Sequence, residues 1–281
     1  MRTVELADRR VAAIGQGTWY MGEDPARKAA EVAALQQGIE LGMSLIDTAE
    51  MYAEGGAEEV VGAAMAGRRD QVFLVSKVYP HNASQRGVPQ ACEPASLRAC
   101  ERSLRRLGTD CIDLYLLHWR GQYPLEETVE AFERLREQGK IRRWGVSNFD
   151  LDDMIELDNA ACAANQVLYN PAQRGIEFDL LPWSQAQQMP IMAYCPLAQA
   201  GQLLQHPLLA EIAERHNATP AQVSLAWVTR HAGVIAIPKA VDPRHVQLNA
   251  AAGELSLSAA DLQAIDQAFA PPTRKQHLAM V

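Results

Sequence analysis

The chain lacks the marks of several protein classes. Positive charge is not in excess: 26 lysines and arginines face 34 aspartates and glutamates in 281 residues, a formal net charge of −8. No basic block or stripe interrupts that balance, which argues against a nucleic-acid-binding surface. No run of 18 apolar residues occurs, and the opening MRTVELADRRVAAIG carries charges where a secretory signal needs an apolar stretch. Neither a membrane span nor a cleaved leader is expected. The five cysteines, Cys92, Cys100, Cys111, Cys162 and Cys195, are odd in number and form no CxxC pair. That pattern suits reduced thiols in a cytoplasmic protein rather than a disulfide framework or a zinc site. No Pro/Gly/Ser-rich linker or low-complexity tract divides the chain, so one domain over residues 1–281 is expected.

What recurs instead is a short apolar run followed by a helix-like stretch. The runs are 14–18, 44–47, 72–78, 112–118, 142–147, 165–169, 191–195 and 234–238. Most are nearly continuous in apolar residues, as strands buried on both faces require. Between them lie amphipathic segments such as 25–41, with Ala29, Val32, Ala33, Leu35 and Ile39 assigned to the buried side, and 125–138, stopped by Gly139. Eight such units predict a (β/α)₈ barrel of the TIM type. Ahead of them, residues 3–6 and 10–13 flank a polar turn and predict a β-hairpin across the barrel floor. The competing open, doubly wound sheet would carry G-x-G-x-x-G after its first strand. Here that place reads Gly15-Gln16-Gly17-Thr18-Trp19-Tyr20, without a third glycine and with a bulky ring where a phosphate would approach.

Five polar residues stand at or just past the ends of these runs: Asp47 and Tyr52 in LIDTAEMY, Lys77 in VFLVSKV, His118 in IDLYLLHW and Tyr194 in PIMAYCP. In a barrel, strand C-termini converge on one face, where the chemistry sits. A phenol with a reference pKa of ~10 is a reluctant acid near neutral pH. A neighbouring ammonium favours its ionised form, and a carboxylate beyond keeps that ammonium charged and aimed. Lys77 and Asp47 can fill those parts beside Tyr52, while His118 can hydrogen-bond a substrate oxygen. Singly each has an ordinary explanation: a helix cap for Asp47, a strand-end charge for Lys77, a packed histidine, a loop aromatic. Their convergence on one face is the informative feature. The runs offer no cluster of histidines and carboxylates for a metal, which disfavours a metal-dependent hydrolase.

The stretches GQGTWYMG, LIDTAEMY, VSKV, LYLLHW, KIRRWGVSNF, NQVLYN, AYCPL and IPKA, in this order over nearly the whole chain, resemble the aldo-keto reductase superfamily. Within it the likeness is to bacterial reductases of small α-oxoaldehydes such as methylglyoxal. The resemblance implies NADPH-dependent reduction of aldehydes or ketones, with NADH possible. Tyr52 would be the proton donor, Lys77 its pKa-lowering partner, Asp47 the carboxylate orienting Lys77, and His118 the carbonyl-orienting group. Ser147, Asn148 and Gln166 would hold the nicotinamide carboxamide, and the Tyr194 ring would stack on one nicotinamide face. Gly17, Thr18, Trp19, Asp47, Cys195 and Leu197 complete the expected cofactor wall, with Lys239, Arg244, His245 and Asn249 at the adenosine end.

Two departures from the family pattern bear on the cofactor. Cys195 replaces the usual serine after the stacking tyrosine and is a weaker donor to phosphate; backbone N–H groups of the loop 197–202 can compensate. Ala240 follows Lys239 in place of serine, and His245 stands where an arginine would grip phosphate bidentately, with Arg244 one position before. For the substrate pocket the expectation is Trp19, Tyr20, Tyr52, Tyr79, His118 and Trp119, with Phe149 as a further apolar wall and little from the short tail 273–281. A small-molecule carbonyl is the expected partner, with no nucleic acid and no membrane, in a monomer or weak homo-oligomer. The alternative is a non-catalytic NADP-binding regulatory or accessory subunit on the same fold.

Overall fold

The computed structural model describes residues 1–82 and 95–281; Cys92 lies outside the described residues. Strands β1 (Thr3–Leu6) and β2 (Arg9–Ala12) form the expected hairpin, with Val4 opposite Val11 and Leu6 opposite Arg9. The second strand begins one residue earlier than expected, because Ala7 and Asp8 alone make the turn, at φ 51° and 64°. Two residues of positive φ are the backbone solution that matches strand twist in a two-residue hairpin.

Eight parallel strands follow: β3 (Gln16–Gly17), β4 (Leu45–Asp47), β5 (Phe73–Val78), β6 (Ile112–Leu117), β7 (Ile141–Ser147), β8 (Cys162–Leu168), β9 (Ile191–Tyr194) and β10 (Val234–Ala236). Each pairs with the next in chain order. The last meets the first through Ile14 opposite Ala236. At that seam the Gly15 amide donates to the Ala236 carbonyl at 2.8 Å, the Ala236 amide to Ala13 at 2.8 Å, and the Gly17 amide to Pro238 at 3.0 Å. A Cβ on Gly17 would stand 2.7 Å from the Ile237 carbonyl oxygen, so the close approach requires glycine.

Helices α1 (Lys28–Glu40), α2 (Gly56–Met65), α3 (Ala95–Leu107), α4 (Leu125–Glu137), α5 (Leu151–Leu157), α6 (Leu180–Ala186), α7 (Pro207–Arg215), α8 (Pro220–Val228), α9 (Pro243–Ala252) and α10 (Ala259–Ala268) surround the sheet. In α1 the buried face is Glu31, Ala34, Leu35, Gly38 and Ile39, not the one holding Ala29 and Ala33, which are exposed. Hydropathy alone misassigns this face because Glu31 is its polar member: its carboxylate accepts from the Gly22 amide at 2.9 Å. Satisfying that loop donor outweighs keeping the side chain in water.

Strand parity divides the apolar residues into two layers. Leu45, Phe73, Val75, Leu114, Leu116, Ala164, Met192, Ile235 and Ile237 pack inside the barrel with Val4, Leu6 and Val11 of the hairpin, which plugs the floor. Ile46, Leu74, Tyr115, Leu117, Val167, Ala193 and Val234 face outward against the helices. Both faces are buried, as the continuous apolar runs predict. Beyond α10 the tail returns across the strand ends. Lys275 Nζ pairs with Asp150 at 2.5 Å and Asp179 at 2.8 Å, carrying Met280 and Val281 to the mouth of the central cavity.

Candidate active site

The same parity places the polar residues. Interior positions on a strand repeat every second residue. Two residues above Leu45 is Asp47, above Val75 is Lys77, above Leu116 is His118, above Ala164 is Gln166, and above Met192 is Tyr194. These polar groups are therefore the top layer of the barrel's own interior stack. They open onto a cavity of about 470 Å³ whose lining includes Asp47, Tyr52, His118, Ser147, Asn148, Gln166 and Tyr194. Lys77 lies beneath that surface and is fully buried. Its neighbour Ser76, of opposite parity, donates outward to Glu58 on α2 at 2.6 Å.

Lys77 Nζ lies 2.5 Å from Asp47 Oδ2, 3.0 Å from the Thr48 carbonyl and 3.2 Å from the Tyr52 hydroxyl. Its three donors are thus committed. Burial works against its charge, but the Asp47 carboxylate prevails and holds the ammonium pKa above its ordinary value. Burial raises the Asp47 carboxyl, with Lys77 and the Gln166 amide opposing it. Tyr52 corrects a sequence expectation: its pKa lies above the ordinary phenol value, not below. Burial is the dominant cause, and Lys77 recovers only part of it. At neutral pH the phenol therefore holds its proton, beside a cation that stabilises what remains when the proton leaves.

His118 is also held neutral. Burial, and secondarily the Lys77 charge, pushes its pKa down to about 2, so the imidazole can offer an N–H to a carbonyl oxygen without being a proton reservoir. Rings ring the mouth: Trp19 stacks on Tyr20 at 4.6 Å and near Tyr52 at 6.4 Å, and Trp119 contacts His118 at 5.0 Å.

On the opposite wall, Asn148 adopts φ 58°, a left-handed conformation that asparagine tolerates. Its Nδ2 donates to the His118 carbonyl at 3.1 Å and its Oδ1 accepts from the Tyr194 hydroxyl at 2.8 Å. Ser147 Oγ donates to the Gln166 carbonyl at 3.0 Å, and Gln166 Nε2 to Asp47 Oδ1 at 2.6 Å. Gly17, Thr18, Trp19, Cys195, Leu197 and Lys239 line the same cavity.

Some expected residues are elsewhere. Tyr79 does not reach the lining; it packs behind Trp119 at 4.7 Å. Phe149 is fully buried core, so it forms no wall. Arg244 and His245 are exposed in the first turn of α9, with their amides on the Asp242 N-cap, and Asn249 is buried; none of the three lines the cavity. Conversely, Met51, Ile237, Met280 and Val281 line it without having been anticipated. Ile237 is legible from interior parity. The tail is short, and the Lys275 clasp that brings it back joins residues far apart in sequence, which no local pattern reveals.

The stretch 13–270 matches the model of the aldo/keto reductase family. The chain belongs to that family. This aldo/keto reductase is 58% identical over 282 residues to methylglyoxal reductase YeaE of Escherichia coli (strain K12), covering 98% of this chain and 96% of that protein. It is 37% identical to a glyoxal reductase of Bacillus subtilis (strain 168), over 83% of this chain and 81% of that one. It also superposes, with TM-score 0.95 and 56% identity over 99% of each chain, on a Klebsiella pneumoniae aldo/keto reductase crystallised with NADP and acetate.

Proposed function

We propose that this chain reduces small aldehydes and ketones, methylglyoxal among them, to alcohols with NADPH as reductant. One observation carries the reading: a protonated phenol faces a cavity 3.2 Å from an ammonium that is itself locked 2.5 Å from a carboxylate. A binding-only protein has no need of a buried ion pair directed at a phenol. The relatives named above for methylglyoxal and glyoxal support the substrate class, and the Klebsiella structure with NADP supports the cofactor.

The residues present fit a nicotinamide cofactor. Ser147, Asn148 and Gln166 offer hydroxyl and amide groups to a carboxamide, and Gln166, with Nε2 committed to Asp47, presents Oε1 as an acceptor. The Tyr194 ring, fixed through its hydroxyl to Asn148, provides a flat stacking face. Lys239 at the cavity edge suits the 2′-phosphate that distinguishes NADPH. When bound, the reduced nicotinamide supplies the hydride. The protein's own part is then proton delivery and orientation. His118 donates a hydrogen bond to the carbonyl oxygen, Tyr52 transfers its hydroxyl proton to that oxygen, and Lys77 stabilises the phenolate until solvent restores the proton. The rings of Trp19, Tyr20 and Trp119 give one side of the cavity an apolar wall. We further propose a cytoplasmic location; among the described residues no helix is long and apolar enough to cross a membrane.

Tyr52→Phe tests the reading. Fluorescence titration should show NADPH binding retained, while methylglyoxal turnover falls by roughly 10²–10⁴-fold, the usual worth of general acid help. Turnover within about threefold of the parent would remove Tyr52 from this role.

A further inference from the structure

Gln166 faces two ways. It lies on β8, at the wall assigned above to the carboxamide, yet its Nε2 donates at 2.6 Å to Asp47 Oδ1, the oxygen that Lys77 does not use. Asp47 is 2% exposed and Gln166 equally buried, so this contact is not diluted by solvent. The alternative amide orientation would set the side-chain oxygen against a carboxylate oxygen, which fixes Nε2 as the group facing Asp47. The backbone reinforces it: Ser147 Oγ and the Asn148 amide both donate to the Gln166 carbonyl, at 3.0 and 2.8 Å. A continuous hydrogen-bonded path thus runs from Gln166 through Asp47 and Lys77 to the Tyr52 hydroxyl.

We propose that Gln166 is a positioning residue for the proton donor, holding Asp47 so that Lys77 keeps its charge and its aim on Tyr52, and thereby linking the cofactor wall to proton delivery. The proposal rests on the functional reading above and adds a second duty to a residue otherwise needed only to hold the carboxamide. Without the amide donor, Asp47 loses a partner that favours its ionised form. It then draws more strongly on the proton it shares with Lys77, the positive field at Tyr52 weakens, and the phenol becomes harder to ionise.

The test is alcohol oxidation followed against pH at saturating NADP⁺, where a loss of cofactor affinity cannot move the profile. Gln166→Met should shift the alkaline limb upward by roughly half to one pH unit, with kcat about tenfold lower. Gln166→Glu keeps the shape and gives a sharper readout. Two carboxyls at that separation cannot both ionise, so a new ionisation absent from the parent should enter the profile, with activity falling as the shared proton is lost. Circular dichroism identifies a variant that fails to fold, and the isosteric glutamate then decides alone. If the folded variants bind cofactor more weakly but give the parent profile at saturation, Gln166 is only a cofactor ligand and the proposal is wrong. Failure of the parent protein to reduce any carbonyl would instead sink the function itself.

Discussion

Replacing Lys77 with methionine removes one charge and little volume. The ammonium lies 3.2 Å from the Tyr52 hydroxyl. At an effective dielectric near 20 that separation corresponds to about 5 kcal/mol between unit charges, and the Asp47 carboxylate cancels part of it. The range found for a single adjacent opposite charge, roughly 1–3 pKa units, is the better guide. Burial already holds the phenol above its ordinary value and Asp47 pushes the same way, so nothing opposes a further rise once Lys77 is gone. The alkaline limb of alcohol oxidation should move up by about that amount, and carbonyl reduction should fall by roughly 10²-fold or more. The single variant also strands a buried carboxylate, at a cost of about 3–5 kcal/mol, visible as a lowered Tm. The double variant Asp47→Asn, Lys77→Met should regain much of that Tm while staying inactive. A Lys77→Met protein that shows the Tm loss but keeps the parent pH profile would refute the partnership with Tyr52.

Other outcomes follow from the same geometry. His118 is neutral in the folded chain, with a pKa of about 2 against an ordinary value near 6.5. Between those values the unfolded chain binds the extra proton, so stability should decline as pH falls below about 6.5, by up to about 1.4 kcal/mol per unit from this group. His118→Asn should flatten that part of a denaturation series. Reduction itself should show no limb near pH 6.5 from His118. Lys275→Met should free the tail from Asp150 and Asp179 and raise KM for methylglyoxal by roughly two- to fivefold with kcat nearly unchanged, since the loss is of substrate wall rather than chemistry; an unaltered KM would remove the tail from the pocket. NADPH should be preferred to NADH, and the preference should shrink as salt rises. Equal weakening of both cofactors by Lys239→Ala would contradict a phosphate contact at that lysine.

The barrel was legible because its strands bury both faces, leaving short, nearly continuous apolar runs that alternate eight times with helix-like stretches. Asp47, Lys77 and His118, three of the four residues proposed to carry the chemistry, stood out for the same reason: they break those runs at their ends, where apolar continuity serves no packing purpose, whereas Tyr52 stands beyond its run on the segment after β4. Legibility failed where long-range contacts decide. Phe149 and Tyr79 have the composition of a pocket wall, but Phe149 turns into the core and Tyr79 lies behind Trp119. Met280 reaches the cavity through an ion-pair clasp that no local pattern encodes. The net acidity of Tyr52 is not legible in the sequence because adjacency to Lys77 can be read from a motif, whereas the depth of burial cannot.

The seam between Ile14 and Ala236 has a consequence for how the molecule is made. β3 pairs with β4 early in the chain but must wait for β10 before its other edge is covered. Contacts between such distant segments form slowly, so a sheet assembled in chain order would remain an open trough, with an unpaired edge at Gly15 and Gly17, until β10 arrives. An edge of that kind can pair with another chain. Gly17 and Lys239 line the cavity from opposite sides of this join, so a ligand spanning both would act as a clamp across it. If NADPH binds as proposed above, adding it during refolding should raise the yield of folded protein and suppress aggregates, more so than a ligand that touches only one side.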